Sequence, residues 1–206
     1  MQLSNKIFIW LIALACLVSF FSSFGSKLNL IEPIFFNKFL ISFNQIQFYD
    51  FKTTYLIGNE WWRLITPMFI HFSPTHLIFN SLWIYILGRE IEQVDGKIIF
   101  IFLILFTSIS SNYLQYSFSG PSLFGGLSGV VYGLLGYCFV SETFLRINKF
   151  SFPPAIYIFM FVWLLIGFTG FLDLLGFGQI ANFAHLGGLL SGILSGYIFS
   201  MYNKKT

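Results

Sequence analysis

Charge is what this sequence has least of. Asp, Glu, Lys and Arg make up 9% of its 206 residues, against about a quarter in soluble domains. The charges are also clustered, which leaves long stretches with none. That pattern excludes a water-soluble globule, and a dispersed net charge of +3 gives no footing for nucleic acid. Cysteine is scarce as well. Cys16 and Cys138 both fall in apolar runs and read as small buried hydrophobes, not as a disulfide or metal ligands. Internal repeats, low-complexity tracts and a second soluble domain are all missing, so residues 1–206 read as one membrane domain.

What is present is apolar: 56% of the chain is hydrophobic and 21% aromatic. A bilayer core of ~30 Å needs about 20 apolar helical residues. Six stretches meet that need, over 6–24, 74–93, 97–116, 127–145, 154–175 and 181–201. Backbone groups in hydrocarbon must bond within their own segment, and these stretches show no strand-like alternation. The expected fold class is therefore an all-α polytopic membrane protein with six spans. The first run follows Lys6 and resembles a signal peptide, with a small-residue stretch from Ser22 to Ser26. Its length favours a retained anchor.

Residues 25–73 form a first loop of about fifty residues, rich in Phe, Ile, Trp and Tyr. A solvated tether would not look like this, so the loop is expected to be folded and partly membrane-embedded. Trp61, Trp62 and Arg63 within it suit the headgroup interface. If both termini share one side, that side collects Lys6, Arg89, Lys97, Arg146, Lys149, Lys204 and Lys205. The short opposite loops, 117–126 and 176–180, hold no Lys or Arg, so both termini are expected in the cytoplasm.

Polar groups at membrane depth are expensive and point to function. The chain has three histidines: His76 and His185 lie inside expected spans, and His71 just before one. The segment Gly125-Gly126-Leu127-Ser128-Gly129-Val130-Val131-Tyr132-Gly133 puts a serine where a glycine-rich loop becomes a helix. There, free backbone N–H groups and the helix dipole favour a developing oxyanion. Tyr132, four residues on, shares a helix face with Ser128. Taken alone this motif reads more readily as helix packing than as catalysis, because small residues line such contacts. The counterweight is Ala184-His185-Leu186-Gly187-Gly188-Leu189-Leu190-Ser191-Gly192. Gly188 and Gly192 on one helix, with Gly129 and Gly133 on the other, would let two backbones approach closely enough to bring His185 to Ser128. A serine hydroxyl needs an adjacent base to become a nucleophile. His76 and Asn80, four residues apart on one face, offer two donors to an oxyanion, or else a structural hydrogen bond to each other.

In combination these motifs resemble the rhomboid family, and most of all its bacterial GlpG-type members. The resemblance runs from Trp61 onward. It takes in Trp62-Arg63, His76 with Asn80, Gly88 with Glu92 and Gly96, Gly126 to Gly133, and Ala184 to Gly192. It implies a six-helix intramembrane serine protease with Ser128 as nucleophile and His185 as general base and then acid. His76, Asn80 and the Ser128 N–H would form the oxyanion hole, with Tyr132 packed on the imidazole. Gly126, Gly129, Gly188 and Gly192 would support that arrangement. Phe79 would flank the substrate route, Glu92 would tie the cytoplasmic end of the second span, and Arg63 would anchor the first loop. The implied partners are single-span membrane proteins and the bilayer of the cell inner (plasma) membrane, with no nucleic acid, metal or soluble cofactor. Relatives of this type often carry a soluble domain ahead of the first span, whereas a handful of residues precede it here. The fifth span also looks slightly longer than theirs, around Trp163.

Competing chemistries lack their residues. His71 and His76 are five apart with no glutamate between them, so the helical zinc motif of metalloproteases is missing. An aspartyl pair needs two membrane carboxylates, and Asp173, near a span end, is the one candidate. A non-catalytic rhomboid-like helix binder would be marked by loss of the serine or the histidine. A small transporter would show repeats or broken midplane helices.

Overall fold

The computed structural model describes residues 6–43, 45–145, 149–150, 152–174 and 180–203. Arg146, Lys204, Lys205 and positions 176–179 of the last short loop, all used in the charge-based orientation, lie outside the described residues. The side chain of Asp173 does as well.

The chain opens with α1 (Ile7–Phe21), which stops short of the expected residue 24 because Ser23, Phe24 and Gly25 all take positive φ and turn the chain. The first loop begins with α2 (Leu28–Ile31) and holds a feature not anticipated for an all-α protein. Strand β1 (Phe39–Ser42) pairs antiparallel with β2 (Gln45–Phe48), Phe39 opposite Phe48. Four-residue strands with one inward phenylalanine leave too short a period-2 signal to read in a run this apolar. Next, α3 (Pro74–Trp83) continues through a π-helical turn, Ile84–Gly88, into α4 (Arg89–Val94). After α5 (Gly96–Ser119) comes α6 (Ser128–Phe139), extended by a π-helical turn over Val140–Phe144. Helix α7 (Pro154–Gly167) ends earlier than the expected 175: Gly170, at φ +73°, separates it from the short α8 (Phe171–Leu174). Helix α9 (Asn182–Asn203) closes the described chain.

Among the described residues α5 is the helix that, by its own length and apolarity, can cross a membrane; α1 and α7 are apolar but shorter. The outward faces of these helices carry exposed Trp10, Phe20, Ile98, Phe161 and Leu165. Such an exterior suits hydrocarbon far better than water.

Helix α6 is the centre of the bundle. Every residue from Gly129 to Cys138 is buried, as befits a helix apolar on all sides. Its tightest neighbour is α9, and glycine makes that contact possible. A Cβ at Gly188 would lie 1.9 Å from the Gly129 carbonyl oxygen, and one at Gly192 would lie 1.9 Å from that of Gly133. The two helices therefore meet backbone to backbone. On the other flank, Gly133 faces Thr107 of α5.

Buried polar groups stitch the periphery to this core. Glu92 of α4 accepts the N–H groups of Ile7 and Phe8, each at 3.0 Å, and so satisfies the free first turn of α1. Arg63, 2% exposed, faces inward rather than to the interface. Its guanidinium donates to Glu60 at 2.5 Å, to the Glu32 carboxylate at 3.0 Å, to Phe35 O at 3.1 Å and to Glu32 O. The first loop is thus knotted around one cation, while Trp61 and Trp62 stay half-exposed. Asn112 and Ser108 of α5 then hold Leu64 O at 2.9 Å and Ile65 O at 3.2 Å.

Gly192→Ala is expected to lose about 3 kcal/mol of stability in detergent unfolding, because the obstacle is backbone and cannot move aside. Leu194→Ala, on the exposed face of α9, should lie within about 0.5 kcal/mol of wild type. Equal losses would refute the backbone-contact account. The first loop should also respond to acid. Burial raises the Glu60 carboxyl, but hydrogen bonds and charge from Arg63 and Lys38 outweigh it and hold the group below its usual value. Its contribution is therefore complete above about pH 4.3, the unfolded value, and is lost as pH falls through the lower folded value. Tryptophan fluorescence of wild type minus Glu60→Gln, followed from about pH 7 to about pH 3, should reveal that loss. A flat difference would count against it.

Candidate active site

Ser128 is the first residue of α6, and the chain reaches it through a constrained turn. Gly126 has φ +122°, a region that L side chains rarely adopt, and its N–H bonds to Pro67 O at 3.0 Å. A side chain there would also strike the His76 ring, since a Cβ would sit 2.6 Å from His76 Cε1. His76 therefore lies directly against the turn that presents Ser128. Asn80 Nδ2 is 3.5 Å from the same point, so both side chains border one spot beside the serine. Ser73 caps α3 by accepting the His76 N–H at 3.2 Å, which fixes where this pair starts.

His185 enters from α9. Its Nε2 lies 2.8 Å from Ser128 Oγ. With the hydroxyl donating, the imidazole proton belongs on Nδ1, which is buried and has no hydrogen-bond partner among the described residues. Tyr132 stacks on the imidazole at 4.7 Å and 29°, and its hydroxyl donates to Met160 O of α7 at 3.1 Å. The ring is thus held from one face by an aromatic that is itself fixed at its far end. Gly129 and Gly188 lie at the crossing that sets the distance: a Cβ on Gly129 would strike Ser111, and one on Gly188 would strike Gly129 itself. Gly192 repeats the contact one turn further down α9.

His71 carries more of the site than its position before a span suggested. It is fully buried, with Nε2 3.2 Å from Asn80 Nδ2 and 3.4 Å from the Leu127 N–H. Both groups donate, so the ring proton sits on Nδ1, which faces Phe69 O at 3.3 Å and Ser19 Oγ at 3.5 Å. One imidazole therefore orients the Asn80 amide and anchors the residue just before Ser128. The sequence signal was a histidine five residues before His76; its role depends on the first loop folding back.

Ser128, His185, His76, Asn80, Tyr132 and Met160 share one cavity of about 30 Å³. That is room for about one water molecule. Phe79 and Trp163, stacked at 5.1 Å and 20°, also line it and join α3 to α7. A serine hydroxyl at a helix N-terminus, a neutral imidazole as acceptor and two flanking side-chain donors make a set capable of acyl transfer.

Comparison with known proteins gives the same direction. The Rhomboid domain model matches residues 58–202. The rhomboid protease GlpG of Serratia proteamaculans (strain 568) is 39% identical over 136 residues, 66% of this chain and 47% of that protein. The rhomboid protease GlpG of Haemophilus influenzae is 36% identical over 149 residues, 72% of this chain and 74% of that protein. For the rhomboid protease GlpG of Klebsiella pneumoniae (strain 342) the identity is 34% over 146 residues, 71% of this chain and 51% of that protein. The chain spans about half the length of the Serratia and Klebsiella relatives and about three quarters of the Haemophilus one.

His71→Leu keeps the bulk but leaves the Leu127 N–H and the Asn80 amide unpaired. It is expected to destabilise the fold by about 1–3 kcal/mol, measured by unfolding in detergent. An unchanged midpoint would mean that these hydrogen bonds carry no weight.

Proposed function

This chain belongs to the rhomboid family, close to its bacterial GlpG-type members, and on that premise we propose that it is an intramembrane serine endopeptidase. Its substrates are single-span membrane proteins, cut within or near their transmembrane segments. The observation that carries the reading is the 2.8 Å contact between Ser128 Oγ and His185 Nε2 at the N-terminus of a buried helix. The helical segments form six spans in the cell inner membrane, both termini face the cytoplasm, and the first loop lies in the outer leaflet. What supports this is the apolar exterior of the bundle and the distribution of Lys and Arg.

The mechanism needs no cofactor. Substrate approaches through the seam between α3 and α7, where the Phe79–Trp163 stack must part, because a cavity of about 30 Å³ does not admit a peptide. Ser128 attacks the scissile carbonyl while His185 Nε2 takes the hydroxyl proton. The tetrahedral oxyanion rests against His76, Asn80 and the Ser128 N–H, in a site largely shielded from water where such donors are most effective. His185 then gives its proton to the leaving amine, and the acyl-enzyme forms. Water attacks the acyl-enzyme with His185 again as base, which releases the new carboxylate and restores the hydroxyl. Two residues suffice where the oxyanion hole and Tyr132 supply the stabilisation and orientation that a third side chain gives elsewhere.

Purified wild type should cleave a single-span reporter in detergent, whereas Ser128→Ala and His185→Ala should not. His76→Ala should lose about 10²-fold in rate while Ser128 still reacts with a fluorophosphonate. Equal cleavage by wild type and Ser128→Ala would sink the assignment. Folded wild type that neither cleaves nor labels would favour a non-catalytic helix binder.

A further inference from the structure

Helix α7 carries Met160 and Trp163 at the site, yet little side-chain packing fixes its tilt on one flank. Between it and α6 and α9 lies an apolar hollow of about 370 Å³, bordered by Leu135, Phe139, Ile158, Phe161, Leu189 and Ile193. The opposite flank packs against α3 through the Phe79–Trp163 and Trp83–Phe159 stacks. On the side of the hollow its position therefore depends on specific ties, and a group of them sits at its foot. There α6 continues into its π-helical turn, which carries Glu142. π-turns inserted in α-helices often mark functional positions. The Glu142 carboxylate accepts the N–H of Phe150 at 3.0 Å and of Phe152 at 3.2 Å, and the hydroxyl of Tyr157. Tyr157 belongs to the first turn of α7. Close by, Asp95 holds Lys149 by an ion pair and Tyr137 by a hydrogen bond of 2.9 Å, which pins the same connection a second time.

The ties continue upward. Tyr157 and Met160 are three residues apart, on one face of α7. Met160 O accepts the Tyr132 hydroxyl at 3.1 Å, and Tyr132 stacks on His185 at 4.7 Å. An unbroken series of contacts thus runs from the foot of α7 to the imidazole beside Ser128. We propose that Glu142 is a positioning residue: it sets the height and tilt of α7, and through Met160 and Tyr132 it holds the His185 ring toward Ser128. The proposal rests on the reading of Ser128 and His185 as the catalytic pair.

The test uses the full-length chain in detergent and reads the rate at which a small fluorophosphonate labels Ser128, a reaction that needs the base but no transmembrane substrate. Glu142→Ala should slow labelling about tenfold, as expected for a displaced catalytic group. Glu142→Gln, whose amide oxygen still accepts from Phe150 and Phe152 and whose NH2 can donate to the Tyr157 oxygen, should stay within about twofold of wild type. In a Tyr132→Phe background the Glu142→Ala change should add less than about twofold, because both act through one contact. Should Glu142→Ala fail to fold, Tyr157→Phe takes its place in the same comparison. Labelling of a folded Glu142→Ala or Tyr157→Phe variant at the wild-type rate would overturn the proposal, and so would equal slowing in both backgrounds. Failure of wild type itself to label at Ser128 would instead overturn the catalytic pair, and this proposal with it.

Discussion

The backbone contact between α6 and α9 is the constraint on which the remaining geometry depends. Two helices whose facing positions are glycine can approach until carbonyl oxygens touch the opposite chain, as Gly129 and Gly133 do against Gly188 and Gly192. That approach brings Ser128 and His185, which project from different helices, within hydrogen-bond distance. Any bulk at the crossing would push α9 away, and a 2.8 Å contact between side chains cannot survive an ångström of separation. The tightest packing in the molecule and its proposed chemistry are therefore one feature, seen at two ends of the same face.

Around that contact, polar side chains substitute for the water that a packed interior lacks. Glu92 closes the first turn of α1, Arg63 gathers carbonyls and carboxylates of the first loop, and His71 receives the amide just before Ser128. Glu142 does the same below α7. In each case a single side chain satisfies several backbone groups at an irregular place, where a helix ends or a loop turns inward. An unpaired buried amide costs several kcal/mol, so these residues permit loops and turns that burial would otherwise forbid. The same economy shapes the site: His185 Nδ1 has no partner among the described residues, and the Tyr132 stack orients the ring instead.

Much of this was legible in the residues. Apolar runs separated by glycine, proline and charge marked where helices would lie, because hydrophobicity and breakers act locally. Ser128 stood out from its glycine-rich approach, and His185 from its polarity within an apolar run. Other features left no local trace. The hairpin Phe39–Ser42 with Gln45–Phe48 is too short to alternate visibly, and the early end of α7 at Gly167 depends on a backbone turn within a stretch that reads as continuous hydrocarbon-lover. Arg63 looked like an interfacial anchor because tryptophans flank it, whereas its guanidinium is enclosed by carbonyls some thirty positions earlier in the chain.

The sequence by itself determined the solvent this chain is made for, its helical class, its family resemblance, and which few polar residues stand where polarity is costly. Those properties follow from composition and from spacing along a single helix. Tertiary structure alone decided the distances: which nitrogen of His185 meets Ser128, that His71 rather than His76 holds Asn80, and that Glu142 reaches the foot of α7. Such pairs are joined across 57, 9 and 15 positions of chain. No periodicity encodes them, because they arise only once helices have packed and loops have folded back between them.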